Sequence, residues 1–149
     1  MASQEVDPSV FQEHMSQHRE LRALLARIDN AFQKSSPSVD EIGELLGQLG
    51  DRLVKHFTCE EEGGYFSEAL LHAPQLLSKA NALLAQHPKM CTEAQNLVVN
   101  LQQGKATDAD WCTHTAALFR TFRDELLRHE KQENALLQEA YQRDIGITD

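Results

Sequence analysis

His18, His56, His87 and His129 each fall on the apolar face of a helical sequence pattern, and two of them are followed four residues later by a glutamate, Glu60 and Glu133. A four-residue step returns to the same side of a helix, so each His-x-x-x-Glu offers an imidazole and a carboxylate to one point of a helical interior. Two carboxylates meeting in an apolar interior would not both stay ionised without a counter-charge, and metal cations supply it. Mixed imidazole and carboxylate donors suit iron, manganese or zinc. Calcium and magnesium want all-oxygen sites, and soft Cu(I) wants sulfur. Two carboxylates able to bridge point to a pair of metals.

Helical periodicity must position these donors, and it accounts for almost the whole chain. Phe11, His18, Leu25 and Phe32 recur every seven residues, with His14, Leu21 and Ile28 as a companion row, which predicts a helix from about Pro8 to Gln33 with both histidines inward. Ser35-Ser36-Pro37-Ser38 breaks the pattern, and Ser38 with Glu41 forms a capping box for a second helix. Its inward row is Ile42, Leu45, Leu46, Leu49, Leu53, His56 and Glu60, and Gly63-Gly64 ends it. Tyr65 to Ala73 is read as a short extra turn of helix. A third helix is expected from near Pro74 through Leu76, Ala80, Leu83, His87, Ala94, Leu97 and Leu101 to Gly104, with Pro88 able to kink or split it. A fourth, opened by Thr107 or Asp108, is expected to bury Trp111, Thr115, Leu118, Phe122, His129, Leu136 and Ala140, with Gly146 past its end.

Long helices joined by short connections predict an all-α, up-down-up-down four-helix bundle, and register tests that topology. Residues at equal height on antiparallel neighbours lie equally far from the loop between them. Halfway between His18 and His56 is Pro37, in the first loop. The midpoint of His56 and His87 falls between Leu71 and His72, and that of His87 and His129 at Asp108, both in expected connections. All four histidines therefore share one layer, and Glu60 and Glu133 sit about one turn, roughly 6 Å, to the same side of it. His14 is level with the two glutamates.

Composition narrows the partners. The 149 residues suit a single domain over 1–149. A net charge of −9 without clustered Lys or Arg argues against nucleic acid or an anionic membrane as partner. No window is apolar enough to span a bilayer, and the first residues lack the signal-peptide pattern, so a cytoplasmic location is expected. Cys59, Cys91 and Cys112 have no C-x-x-C spacing and read as reduced thiols that pack rather than ligate. His72 and His114 lie away from the layer and read as surface residues. Glu61, Glu62 and Glu130 read as solvated.

The strings His56-Phe57-Thr58-Cys59-Glu60-Glu61-Glu62 and His129-Glu130-Lys131-Gln132-Glu133-Asn134, with His18-Arg19-Glu20-Leu21 and His87, resemble the hemerythrin-like (HHE cation-binding) family over nearly the full chain. The resemblance implies a non-haem di-iron centre, oxo- or hydroxo-bridged, with His18 and His56 serving one iron, His87 and His129 the other, and Glu60 and Glu133 bridging. Oxygen-carrying hemerythrins place two histidines one turn apart on the third helix, whereas Leu83 and Cys91 flank His87 at that distance. One iron is thus a ligand short, with His14 the preferred completion and Glu61, Glu125 or water the alternatives.

Three functions follow. The leading one is a di-iron module that binds or senses oxygen, redox state or iron, with dioxygen or a related small molecule as partner. The second is a di-iron enzyme acting on oxygen or peroxide, although no dedicated general acid or base is evident beyond the ligands. The third is a metal-independent helical interaction module. Zinc or manganese could occupy the same donors.

Overall fold

A computed structural model describes residues 8–62, 65–103 and 110–146, and every regular element among them is helical. The elements are α1 (Pro8–Gln33), α2 (Val39–Glu62), α3 (Tyr65–His72), a 3-10 turn (Pro74–Leu76), α4 (Leu77–Leu84), α5 (His87–Gln103) and α6 (Trp111–Gly146). The expected stops at Gly63, Gly64 and Gly104 and the expected start at Thr107 or Asp108 lie outside the described residues, as do the side chains of Phe11 and His72. No helix among the described residues is long and apolar enough to cross a membrane.

Local chemistry explains the boundaries. Ser38 caps α2 by accepting a hydrogen bond from the Glu41 amide at 3.2 Å. The reciprocal half of the expected capping box is replaced, because the Glu41 carboxylate pairs with Lys34 at 2.8 Å. The helix expected over Pro74 to Gly104 is split. Pro88 has no amide hydrogen to offer Leu84, so α4 ends in a tight turn where Gln86 donates to the Leu83 carbonyl at 3.1 Å. A new helix starts at His87, with the proline in its permissive first turn. Gly146 is the last residue of α6 rather than past its end, a one-residue difference within the fraying of a helix terminus.

α1 packs on α2 and α6, and α5 packs on the same two helices, while α3 and α4 lie against α6. Contacts between neighbours run in opposite order along the two helices of each pair. Lys34 meets Glu41, Glu20 meets Arg52 at 2.7 Å and His14 meets Glu60 at 2.6 Å, progressively further from the first loop. Gly43 faces Leu101 at one end of the α2–α5 pair, and Glu60 faces His87 at the other. Phe32 packs on Phe119 with ring centroids 5.7 Å apart, whereas His18 meets Glu133. This packing is compatible with a helical bundle.

The interior has two apolar parts. The larger joins α1, α2, α5 and α6 through residues such as Ile28, Leu46, Leu49, Leu97 and Phe119, and the smaller joins Phe66, Leu76 and Leu83 to Leu136, Leu137 and Ala140. The buried histidines and glutamates lie between them along the chain, at His129 and Glu133 on α6 and at His87 after Leu83. One expected core position is corrected. Leu118 is 37% exposed while its neighbour Phe119 is fully buried, because the α6 stripe steps through Thr115, Phe119, Phe122 and Leu126 and leaves Leu118 to one side. Trp111 is half-buried. Phe119→Ala should therefore cost about 3–5 kcal/mol of stability in urea unfolding, and Leu118→Ala less than about 1 kcal/mol. The reverse ranking would restore the row inferred from sequence.

Candidate metal centre

Four helices deliver seven ionisable side chains to one place. His14 and His18 come from α1, His56 and Glu60 from α2, His87 from the start of α5, and His129 and Glu133 from α6; all seven are at most 2% exposed. Their donor atoms form two overlapping groups, His14, His18, His56, Glu60 and Glu133 in one and Glu60, His87, His129 and Glu133 in the other, with the atoms of each group within 4.8 Å of one another. The structure thus brings together every site residue named from the sequence. It does not bring in the two weaker candidates. Glu61 is half-exposed and lies 3.7 Å from His87 Nδ1, and Glu125 pairs with Glu93 and is not among the converging donors.

The two carboxylates each reach across both groups. Glu60 Oε2 is 2.6 Å from His14 Nε2 and 3.2 Å from His56 Nε2, while Oε1 is 3.2 Å from His87 Nε2. Glu133 Oε1 is 3.3 Å from His18 Nε2, and Oε2 is 2.9 Å from His129 Nε2 and 3.4 Å from His87 Nε2. The i,i+4 step in α2 and α6 is what turns each imidazole and its carboxylate to one side.

Polar side chains outside the cluster orient the rings. His56 Nδ1 donates to Gln17 Oε1 at 2.6 Å and His129 Nδ1 donates to Gln86 Oε1 at 2.9 Å. With the proton held on Nδ1, each ring turns the lone pair of Nε2 inward. Phe57 stacks flat on His87, with ring centroids 3.8 Å apart and planes 6° from parallel, and fixes the ring on α5. Sequence reasoning missed all three. Gln17 and Gln86 each immediately precede a site histidine, and Phe57 follows one, which was the available signal.

The charge state follows from enclosure. Burial lowers the His18 imidazole from its ordinary 6.5 to about 2, reinforced by His14 and His56, and lowers His129 to about 4, reinforced by His87. Burial would raise the Glu60 carboxyl, but the imidazoles of His14, His56 and His87 outweigh it and hold that group well below the usual carboxylate range. Glu133 goes the other way, pushed well above its ordinary value by burial and by the charge of Glu60. Glu130, expected to be solvated, is 3% exposed, and burial pushes its carboxyl up to about 8 against the pull of Arg22. Its place on the four- and seven-residue steps of Leu126, Glu130 and Leu137 is the signal that would have found it.

A cation fits this donor set. Both ring nitrogens of His18, Nε2 of His56, Oε1 of Glu60 and Oε1 of Glu133 are buried without an aligned hydrogen bond among the described residues. The Nε2 atoms of His87 and His129 face each other at 3.2 Å, although the glutamine contact leaves His129 Nε2 with a lone pair. Lone pairs converging in a dry interior are what a cation would satisfy. None of the three thiols joins the converging donors, which favours a harder cation than Cu(I).

The family model described as Hemerythrin HHE cation binding domain matches residues 9–141. No curated protein and no solved structure matches the chain.

The shifts fix the pH dependence of the cation-free fold. His18 and His129 are neutral when folded and take up protons on unfolding, so stability is lost as pH falls below 6.5 toward about 4 for His129 and about 2 for His18. Glu130 and Glu133 are protonated when folded and release protons on unfolding, so stability is lost as pH rises above 4.5, until Glu130 ionises at about 8. The two trends oppose each other between 4.5 and 6.5. The melting temperature of the metal-free protein should peak in that window and fall toward pH 8, and Glu130→Gln should flatten the alkaline side. A maximum above pH 8 would contradict the assigned protonation states.

Proposed function

The chain belongs to the hemerythrin HHE cation-binding domain family, and from that premise we propose that it is a non-haem di-iron protein that binds or senses oxygen, redox state or iron. The carrying observation is the sharing of Glu60 and Glu133 between two groups of buried imidazoles. Two carboxylates that each turn one oxygen to either group are the arrangement by which a bundle holds a pair of cations.

In this reading His14, His18 and His56 would hold one iron and His87 and His129 the other, with Glu60 and Glu133 shared between them. His14 adds a third imidazole to the first position, and the second keeps two. The opposed order of contacts along neighbouring helices supports an up-down-up-down bundle, the geometry that keeps donors from four helices level. Iron, when bound, supplies the redox chemistry toward dioxygen or a related small molecule. The protein's own groups do the rest. Gln17 and Gln86 fix two imidazole tautomers, Phe57 fixes a third ring, and the apolar clusters on either side limit water. A surface groove of about 280 Å³ with His129 in its wall offers a small molecule a way to the second position. We place the protein in the cytoplasm, a reducing compartment that suits its three free thiols.

Protein produced with added iron should contain about two irons per chain, measured by plasma emission, and show a ligand-to-metal absorption band in air. Cation loading should raise stability by about 2.7 kcal/mol at a free concentration a hundredfold above Kd. His56→Ala and Glu133→Ala should each lower bound iron sharply, whereas His114→Ala, at an exposed position of α6, should not. Equal loading in all three variants, or folded protein that refuses iron under anaerobic conditions, would defeat the assignment and favour an interaction bundle.

A further inference from the structure

The seven donors divide unevenly. Nε2 atoms of His14, His18 and His56 stand 2.6, 3.9 and 3.2 Å from one oxygen of Glu60, whereas His87 and His129 alone stand on the α5–α6 side. Both carboxylates are common to the two groups. One position therefore commands three imidazoles and the other two.

Their surroundings differ in the same sense. His14 and His18 are fully buried, and among the described residues a cavity of about 50 Å³ lies beside Gln17 and His56. On the other side, His129 shares the wall of the groove of about 280 Å³ with Gln86, Met90 and Arg128. Gln86, whose side chain holds His129 in place, is itself exposed and also lines a second cavity of about 380 Å³ between α4 and α6. Ligand number and rigidity set the affinity of a cation site, and enclosure slows its exchange with water. Three buried imidazoles beside the smaller cavity and two beside the larger groove push both properties in the same direction.

Resting on the cation-binding reading above, we propose that the two positions fill in order, the first cation being retained at His14, His18 and His56 while the second, at His87 and His129, binds more weakly and exchanges with solvent. The chain then passes through a one-cation state, and occupancy of the second position follows cation supply. The responsive half of the site is the α5–α6 half, next to the turn made by Ala85 and Gln86.

The test is an anaerobic titration of the metal-free full chain with Co2+, followed by visible absorption and calorimetry. Wild-type protein should take two equivalents in separate steps, with dissociation constants differing on the order of tenfold or more, and a competing chelator should remove one equivalent well before the other. His87→Ala should keep the tight equivalent and lose the weak one. His14→Ala should bring the tight step down toward the weak one. Circular dichroism confirms folding, and the wild-type titration needs no variant. Two equivalents entering in one indistinguishable step would overturn the proposal, as would loss of the tight equivalent in His87→Ala with its retention in His14→Ala. Folded wild-type protein that binds no Co2+ would instead overturn the cation-binding reading, and this inference with it.

Discussion

Five imidazoles and two carboxyl groups share one layer of an otherwise apolar helical interior, and the cost of removing that many ionisable groups from water is the constraint the rest of the molecule must meet. Without a cation the layer settles its charge internally. Glu60 keeps its charge among the imidazoles of His14, His56 and His87, Glu133 keeps a proton because Glu60 does not, and His18 and His129 stay neutral. Such an arrangement leaves several buried lone pairs facing one another. Replacing each with leucine would give a continuous core joining the two apolar clusters and would relieve the electrostatic penalty. A layer so expensive for folding alone is consistent with a fold shaped around a cation pair.

The helices meet this constraint by simple means. An i,i+4 pair on α2 and another on α6 turn two carboxylates inward from opposite sides, and the four-residue step from His14 to His18 adds two rings from α1. α5 contributes differently. Its one ring, His87, comes from the first residue after the break that Pro88 imposes, so a helix end rather than a helix face delivers it. Gln86, in that break, accepts the hydrogen bond of His129 Nδ1. A residue of the connecting turn thus sets the tautomer of a site histidine. Gln17 does the same service for His56 from the neighbouring helix, without any break.

Legibility in the sequence followed the kind of information required. The long helices and the common layer were readable because a 3.6-residue period and distances to loops fix height along a bundle, and His14 was placed level with the glutamates on that basis alone. Height is not direction around the helix axis. Leu118 and Phe119 are nearly level, yet one is exposed and the other buried, and only the packing of α6 on its neighbours decides between them. Glu130 was misread for the same reason, since a charged residue beside a site histidine is usually solvated, and burial on the α6 stripe overrides that expectation. The split at Pro88 was visible as a possibility. What Gln86 does there depends on a contact between residues 43 apart in sequence, which no local pattern encodes.

The uneven division of ligands bears on which family function the chain performs. In oxygen carriers of the hemerythrin type the additional histidine is on the third helix, whereas here α5 supplies only His87 and the additional ring, His14, comes from α1. On the proposed reading the imidazole-poor position is therefore the α5–α6 one, and that position borders a groove whose wall includes Lys89, Arg128 and Gln132 as well as His129. Returning dioxygen unchanged requires that water and protons be kept from the ligand, which is the task of a closed apolar pocket. A groove walled by Lys89, Arg128 and Gln132 beside His129 works against such protection, because on this side it brings solvent to within one side chain of donors that the apolar clusters shield above and below. The same groove favours a site whose occupancy or oxidation state responds to what is dissolved around it. On the proposed reading the physical surroundings of His129 thus weigh toward sensing and against reversible carriage.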